Sequence, residues 1–277
     1  MRLYSEMELK NYLVKYSHEK SRGFMNILAL IPARMGSSRF PGKPMVKILG
    51  KPMIGHVYER VSRSEVLCMT AVATCDSEIY DYIEAIGGNA VMTANTYERA
   101  SDRCAEALIA LELEHNCKYD IVVMVQGDEP MTHPDMISEA VQPMLGDSSI
   151  KVVNLLGAIE DIQEFEDRNC IKVVCDVNSD ALYFSREPIP TKSKIEEVVM
   201  SKQVCIIPFT RDFLLEYTSL PPTPLEEAEC VDMMRVLEYG MKVRMVPTKH
   251  VSFAVDVPDD LIRVEKLMST EKFKNFS

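Results

Sequence analysis

The sequence has no tryptophan, no C-x-x-C pair among its eight cysteines, no run of 18 apolar residues and no excess of positive charge. The missing C-x-x-C spacing argues against a zinc ribbon or a redox motif, so we expect reduced and mostly buried thiols. No signal-peptide core is visible, so we expect neither secretion nor membrane insertion but a cytoplasmic protein. The net charge of −11 argues against a nucleic-acid partner, because phosphate backbones require a basic face.

What is present is the composition of an ordinary globular protein, with 47% hydrophobic and 26% charged residues in a chain of 277. Residues 1–24 are polar and mixed in charge, and we interpret them as an N-terminal extension. Residues 25–277 are long enough for a single α/β domain with an insertion. A small molecule is therefore the expected partner.

Strand and helix patterns alternate through the first 160 residues. Such alternation predicts a Rossmann-like, mostly parallel sheet with helices on both faces. We predict strands at 26–33, 66–75, 90–92 and 120–126, and helices at 53–63, 79–86, 101–114 and 133–145. Ligands of such sheets bind at the carboxyl ends of the strands, which is where the polar segments after residues 33 and 126 lie.

After residue 151 the pattern changes to strands joined by short helices. We predict strands at 151–156, 170–176, 181–184 and 204–209. Residues from about 175 to 225 are interpreted as a partly antiparallel insertion that covers the site. Strands at 243–247 and 253–255 and a helix at 259–268 are expected to return to the main sheet.

The segment 31–43, IPARMGSSRFPGK, has the features of a phosphate-binding loop. Glycine and serine allow backbone N–H groups to converge on an anion, and Arg34, Arg39 and Lys43 supply charge-assisted hydrogen bonds. Five residues lie between Gly36 and Gly42, one more than the four between the glycines of a Walker A loop, and a dinucleotide-binding fingerprint is absent. A nucleoside triphosphate is therefore expected here, outside the P-loop and dehydrogenase classes.

Two aspartates follow predicted strands and are candidate ligands of Mg²⁺, namely Asp128 in QGDEP and Asp256 in VDVPDD. Mg²⁺ takes one or two protein carboxylates together with phosphate oxygens and water. Although the two residues are distant in sequence, one sheet edge can bring them together. Glu129 is considered a supporting residue rather than a ligand, and His56 a structural histidine.

Several motifs in order resemble the nucleotidyltransferases that activate sugars with CTP, specifically the 3-deoxy-manno-octulosonate (Kdo) cytidylyltransferase family. The resemblance runs from residue 25 to about 268. It is carried by IPARMGSSRFPGKPMVKILGKPMIGHVYERV, VMVQGDEPM, ALYFSREPIP and AVDVPDDL. It implies a Mg²⁺-dependent cytoplasmic enzyme of lipopolysaccharide biosynthesis that joins CTP to a 2-keto-3-deoxy sugar acid and releases pyrophosphate. It also implies a homodimer, with residues 175–225 as the interface.

The resemblance also assigns site residues. Catalysis is expected from Arg34, Arg39, Lys43 and Asp128, and the metal from Asp128 and Asp256. Nucleotide binding is expected from Pro32, Ala33, Arg34, Gly36, Ser37, Lys43 and Gln126. Acceptor binding is expected from Arg103, Arg186, Gln203, Glu226 and Glu229.

The acceptor side departs from the family pattern. In QVCIIPF, Gln203 replaces a histidine, Cys205 a glycine and Ile207 a tyrosine. A smaller or more anionic acceptor, such as the phosphonate phosphonoformate or another modified ulosonic acid, is therefore the alternative. A catalytically silent nucleotide-binding scaffold and a transferase that uses UTP or GTP also stay open.

Overall fold

The protein is described by a computed structural model that covers residues 25–36, 40–159, 161–191 and 200–270. The predicted extension 1–24 and the site residues Ser37 and Arg39 lie outside the described residues. The strands are β1 (Ile27–Ala33), β2 (Lys47–Ile48), β3 (Lys51–Pro52), β4 (Met69–Thr74), β5 (Asn89–Met92), β6 (Ile121–Val125), β7 (Val153–Ala158), β8 (Lys172–Cys175), β9 (Ala181–Ser185), β10 (Ser201–Val204), β11 (Ile206–Thr210) and β12 (Arg244–Pro247).

The helices follow most of the predicted periodic segments. They are α1 (Met53–Val61), α2 (Ser77–Ala85), α3 (Ala100–His115), α4 (Pro134–Gly146), α5 (Ile162–Glu166), α6 (Arg211–Ser219), α7 (Pro224–Glu229), α8 (Met233–Glu238) and α9 (Pro258–Met268). A 3₁₀ turn at Lys43–Met45 follows the phosphate-binding loop.

The main sheet has five strands in the order β11-β6-β1-β4-β5. β1 pairs in parallel with both β4 and β6, and β4 pairs in parallel with β5. β11 joins β6 as an antiparallel edge strand. This order confirms the predicted Rossmann-like, mostly parallel sheet, and it places the reversal of strand order between β1 and β6.

Alternate residues of the central strands enter two separate apolar cores. Leu28 and Leu30 of β1 pack with α3 and α6 on one face, and Ala29 and Ile31 pack with α1, α2 and α4 on the other. A strand that is buried on both faces has a continuous apolar sequence, as NILALIPA has. The two-sided core holds the carboxyl end of β1 in a fixed position under the site.

A second sheet has the order β12-β7-β10-β8-β9. β12 pairs in parallel with β7, whereas β10 pairs antiparallel with both β7 and β8. The expectation that residues 243–247 return to the main sheet is therefore wrong, and 253–255 form no strand at all. An apolar run predicts a strand but does not identify its partner, which is decided by contacts distant in sequence.

The expected insertion 175–225 is divided between the two sheets. β9 and β10 belong to the second sheet, while β11 is an edge of the main sheet. A bridge between Val152 and Phe209 connects the two. The role of this segment in dimerisation and in covering the acceptor stays a prediction.

All eight cysteines lie in the described part of the chain and are free thiols. The prediction of reduced cysteines is consistent with this, but they are less buried than expected. Cys104 is buried, whereas Cys68 and Cys230 are exposed and the other five are half-buried. In the ranges that the structure covers, no helix has both the length and the apolar character needed to cross a bilayer.

Candidate active site

Two cavities meet where the strand order reverses. The smaller, of about 260 Å³, lies between the segment after β1 and the segment after β6. The lining includes the predicted nucleotide residues Pro32, Ala33, Arg34, Lys43 and Gln126. The structure thus brings these five together, as the rule for the carboxyl ends of parallel strands predicts.

Gly127 allows the two segments to approach each other. A Cβ added at this position would lie 2.9 Å from the Pro32 carbonyl oxygen and 3.5 Å from the Ala33 Cβ. Any larger residue would force the ends of β1 and β6 apart and widen the small cavity. Glycine is therefore required here by the close passage of another backbone.

The loop after β1 is closed by hydrogen bonds to its own backbone and to the segment that follows β4. Gly42 adopts a left-handed conformation with φ 73°, and its N–H donates to the Met35 carbonyl at 3.0 Å. The Met35 N–H donates in turn to the Asp76 carboxylate at 2.8 Å. Gly36 lies exposed between them. Asp76 was missed in the sequence, although it lies two residues after the end of β4 and could have been found by the same strand-end rule.

Lys43 lines the smaller cavity and contacts Asp128, which lines both cavities. Its Nζ lies 2.6 Å from Asp128 Oδ2 and 3.5 Å from Asp256 Oδ1. Burial lowers the pKa of the ammonium, but the charges of Asp128 and Asp256 outweigh burial and raise its pKa above the ordinary value. Lys43 is therefore held as a cation between two carboxylates.

Asp256 is placed beside Asp128 by a loop contact and not, as the sequence suggests, by the end of a strand. The Val255 N–H donates to the Asp128 carbonyl at 3.0 Å, which fixes the two acidic segments side by side without a strand. The Asp260 carboxylate then accepts the N–H groups of Asp256 and Val257 at the start of α9. The predicted meeting of Asp128 and Asp256 is thus produced by one backbone hydrogen bond and one helix cap.

Glu129 joins the two segments behind the carboxylates. Its side chain accepts hydrogen bonds from Ser252 Oγ at 2.5 Å and from the Cys205 N–H at 3.4 Å. Burial raises the pKa of Glu129 to about 7, and the Ser252 hydrogen bond opposes this shift. Its buried position fits the predicted supporting role.

The larger cavity has a volume of about 560 Å³ and shares Gln126 and Asp128 with the smaller one. Its wall carries the predicted residues Arg186 and Gln203, together with Asp256. Two cations that sequence reasoning missed, Lys202 and Arg263, also line it. They lie over the Phe253 ring at 4.5 and 3.8 Å, and nothing in the local sequence marks them for this role.

Arg186 is held at the cavity by Glu229. Its backbone N–H donates to the Glu229 carboxylate at 2.8 Å, and its Nε donates to the Glu229 carbonyl at 2.6 Å. Glu229 also accepts from the Tyr183 hydroxyl at 3.1 Å. Glu229 is not part of either cavity wall as described, so the structure places it behind Arg186.

Gln203 donates from Nε2 to Asn154 Oδ1 at 2.6 Å, which orients its amide at the cavity wall. Ile207, two residues past Cys205, points into the apolar core and is 3% exposed. Of the three departures from the family pattern, Gln203 and Cys205 line the larger cavity and Ile207 does not. The difference arises because β10 ends at Val204 and β11 begins in the other sheet.

Arg103 and Glu226 occupy structural positions. Arg103 is 2% exposed, borders the smaller cavity, and donates to the Thr93 hydroxyl and to the carbonyls of Ala94 and Tyr97. Glu226 is fully buried, accepts two hydrogen bonds from Arg235 at 2.7 and 2.8 Å, and also pairs with Arg99. The expected acceptor contact of Glu226 is not supported, since its carboxylate lines neither described cavity.

Comparison with known proteins places this geometry in a family. The family model described as "Cytidylyltransferase" matches residues 28–243. A 3-deoxy-manno-octulosonate cytidylyltransferase of Geobacter metallireducens is 41% identical over 256 residues, covering 88% of this chain and 98% of the relative. The enzyme of the same name from Syntrophus aciditrophicus is 41% identical over 243 residues, covering 87% of this chain and 97% of the relative.

Solved structures agree. A CMP:2-keto-3-deoxy-manno-octonic acid synthetase complexed with CTP superposes with a TM-score of 0.79 at 38% identity, covering 88% of this chain and 98% of that one. A 4-diphosphocytidyl-2C-methyl-D-erythritol synthase from Anaerococcus prevotii shares the fold alone, with a TM-score of 0.61 at 15% identity. The extent of these matches, together with the loop and the paired aspartates, shows that the chain belongs to the 3-deoxy-manno-octulosonate cytidylyltransferase family of nucleotidyltransferases.

Proposed function

We propose that the chain transfers the cytidylyl group of CTP to Kdo, or to a closely similar 2-keto-3-deoxy sugar acid, and releases pyrophosphate in a Mg²⁺-dependent reaction. The observation that carries the proposal is the contact of Lys43 with both Asp128 and Asp256 at the boundary shared by the two cavities. A nucleotide in one cavity and an acceptor in the other would meet at this boundary. The relatives are Kdo cytidylyltransferases, which supports Kdo as the acceptor and gives no support to the phosphonate alternative.

The smaller cavity is the proposed triphosphate side. The Arg34 guanidinium is exposed at its rim, and Lys43 lies within it. Both side chains donate to phosphate oxygens, which become more negative as the α-phosphate is attacked. Gln126 lies at the end of β6, where its backbone N–H donates to the Cys205 carbonyl at 3.1 Å. Its side chain is the candidate contact to the base or sugar of the nucleotide.

The larger cavity is the proposed acceptor side. Arg186 and Arg263 supply positive charge for a sugar-acid carboxylate, whereas the charge of Lys202 is already paired with Glu164. Gln203 supplies an oriented amide for hydroxyl groups. A hydroxyl oxygen of the acceptor forms the new bond to the α-phosphorus and loses its proton. The bond from that phosphorus to the oxygen of the β-phosphate breaks, and pyrophosphate leaves.

Mg²⁺ is the metal we propose for Asp128 and Asp256. The donor set fits, since both proposed ligands are part-buried carboxylates. The Lys43 ammonium already places a positive charge between them. When bound, Mg²⁺ neutralises charge on the triphosphate oxygens. With Asp128 and Asp256 holding the metal, the Lys43 ammonium would be available to donate to phosphate oxygens.

Pyrophosphate release tests the proposal directly. CTP, UTP and GTP are each combined with Kdo or with phosphonoformate, with Mg²⁺ or with a chelator. Release with CTP and Kdo alone, abolished by the chelator, is the expected result. Turnover with phosphonoformate and none with Kdo would replace the proposed acceptor. CTP binding without turnover on any acceptor would favour the scaffold alternative.

Homodimerisation, a place in lipopolysaccharide biosynthesis and a cytoplasmic location are proposals of the same kind. In the second sheet β9 is an edge strand, and its Leu182 is 61% exposed. An exposed apolar side chain on an edge strand favours an interface there. Light scattering of the wild type and of Leu182→Asp tests this, because an unchanged dimer in the variant, or a monomeric wild type, contradicts the proposed interface.

A further inference from the structure

Four side chains that the proposed reaction does not use converge at the start of α4. His133 directly precedes the helix, Asp135 lies in its first turn, and Glu139 follows one turn later on the same face. His250 approaches from the segment after β12. The two imidazole rings stack with centroids 4.0 Å apart and an interplanar angle of 13°.

The polar atoms of this cluster are closely spaced. His133 Nδ1 lies 3.6 Å from Asp135 Oδ2, and His250 Nε2 lies 3.8 Å from the same oxygen. His250 Nε2 is also 3.6 Å from Glu139 Oε1. The ligand atoms of the two histidines and Asp135 all lie within 4.8 Å of one another. A tetrahedral Zn²⁺ ion with bonds of about 2.0–2.2 Å would set its ligand atoms roughly 3.3–3.6 Å apart, close to the spacing seen here. The two rings would have to rotate out of their stacked arrangement so that both nitrogen lone pairs point to one ion.

Two buried atoms of the cluster lack hydrogen-bond partners among the described residues. They are His250 Nε2 and Glu139 Oε2. Buried polar atoms nearly always have a hydrogen-bond partner or a bound ion. Two unsatisfied atoms on neighbouring side chains therefore indicate a partner that both of them share. A cation between the two side chains would satisfy both, whereas the 3.6 Å from His250 Nε2 to Glu139 Oε1 is too long for a hydrogen bond.

We propose that His133, Asp135 and His250, with Glu139 as a fourth ligand, form a binding site for a divalent transition-metal ion of the Zn²⁺ class. Two imidazoles and two carboxylates are a donor set that such ions prefer, and it differs from the all-oxygen pair Asp128 and Asp256. A metal ion can reach this site from solvent, because the Asp135 side chain is 66% exposed.

The charges around the cluster are consistent with metal binding. His133 lies beside Asp135, and His250 lies beside both Asp135 and Glu139, so two carboxylates face the imidazoles. Arg60 also contributes positive charge nearby, which the carboxylates of Asp135 and Glu139 offset. The Asp135 N–H donates to His133 Nδ1 at 3.1 Å, and ligation through that nitrogen would replace this bond.

A metal at this position ties α4 to the segment that leads into the active site. Two residues after His250, Ser252 donates to Glu129, and four residues further lies Asp256. The expected consequence is a stiffer 248–256 segment. The proposal does not depend on the identity of the acceptor or on turnover.

Calorimetric titration of the full chain with Zn²⁺ in excess Mg²⁺ tests the site. His250→Gln and His133→Gln are compared with wild type, and His115→Gln at the exposed end of α3 is the matched control. We expect each of the first two substitutions to remove one Zn²⁺ equivalent or to weaken its binding at least about 100-fold, and the control to leave it unchanged. Equal stoichiometry and affinity in all four proteins would overturn the proposal.

Free thiols are the competing ligands, so the donor type is measured separately. Co²⁺ spectra distinguish imidazole and carboxylate ligands from thiolates. Strong thiolate charge-transfer bands from the Co²⁺ ion that replaces the histidine-dependent Zn²⁺ would contradict the assignment. Asp135→Asn, at a solvent-exposed side chain, serves if a histidine variant fails to fold. It is expected to weaken Zn²⁺ binding and to keep the circular dichroism spectrum of the wild type; unchanged Zn²⁺ binding would count against the site.

Discussion

The ammonium of Lys43 lies 2.6 Å from the carboxylate of Asp128, although 85 residues separate the two in sequence. One belongs to the loop after β1 and the other to the segment after β6, and these strands are neighbours where the strand order reverses. Asp256 approaches the same ammonium from a third segment. The structure thus holds a cation between two acids at the place where a triphosphate and its metal would enter.

Lys43→Ala should lower kcat by about 100-fold or more, because the ammonium stabilises charge that develops on the phosphate oxygens in the transition state. The measurement is steady-state pyrophosphate release with saturating CTP. Lys47→Ala is the control, since Lys47 lies four residues on and is exposed on β2. Near-normal turnover of the Lys43 variant would remove this residue from the phosphate site.

Asp256→Asn should shift the Mg²⁺ dependence of turnover to higher concentration, by about tenfold or more, because one of the two carboxylates proposed to hold the metal loses its charge. A Mg²⁺ titration at fixed CTP measures the shift. Asp259→Asn changes an exposed aspartate three residues away and should leave the titration unaltered. If both variants titrate like the wild type, Asp256 does not hold the metal.

The parallel sheet could be predicted from the sequence because its strands carry their own signal. NILALIPA and DIVVMVQ are continuous apolar runs, and the loops after them supply the polar residues of the site. The strand-end rule therefore placed the segments that carry Lys43 and Asp128 at one edge of the sheet, where the two side chains are in contact. It also could have identified Asp76, which follows β4 and fixes the Met35 N–H.

The rest of the site depended on pairings that local patterns do not contain. Residues 253–255 look like a strand, yet they are held by one hydrogen bond to Asp128 and by the capping of α9. Glu226 matched a family motif, but its environment is set by Arg99 and Arg235 from other segments. Burial and ion pairing across the chain decide whether such a side chain faces a ligand or the interior.

Gly127→Ala should destabilise the protein by about 1–3 kcal/mol, because the new Cβ would lie 2.9 Å from the Pro32 carbonyl oxygen. Chemical denaturation measures the loss. Gly146→Ala is the control, as nothing lies within 4 Å of its added Cβ, and it should change stability by less than about 1 kcal/mol. Equal stability of the two variants would show that the ends of β1 and β6 can separate freely.

His56→Gln should reduce the loss of stability in mild acid. His56 Nε2 lies 2.8 Å from the Ile48 carbonyl, so its neutral form donates there, and burial lowers its pKa below the ordinary 6.5. Between its pKa in the folded state and 6.5, the unfolded chain binds the extra proton, so stability falls as pH falls through this window. Denaturation midpoints from pH 7 to pH 5 measure the slope; an identical slope in the glutamine variant would contradict this origin.

Glu226→Gln should destabilise the protein by about 3–5 kcal/mol, because it leaves the Arg235 guanidinium, which is 3% exposed, without its buried counter-charge. The same substitution at the exposed Glu227 should have little effect. If Glu226 acts on the acceptor instead, stability would be kept while KM for the acceptor rises. Measuring both unfolding and KM on the same variant therefore separates support of the α7–α8 packing from contact with the substrate. The buried geometry predicts that the change is in stability.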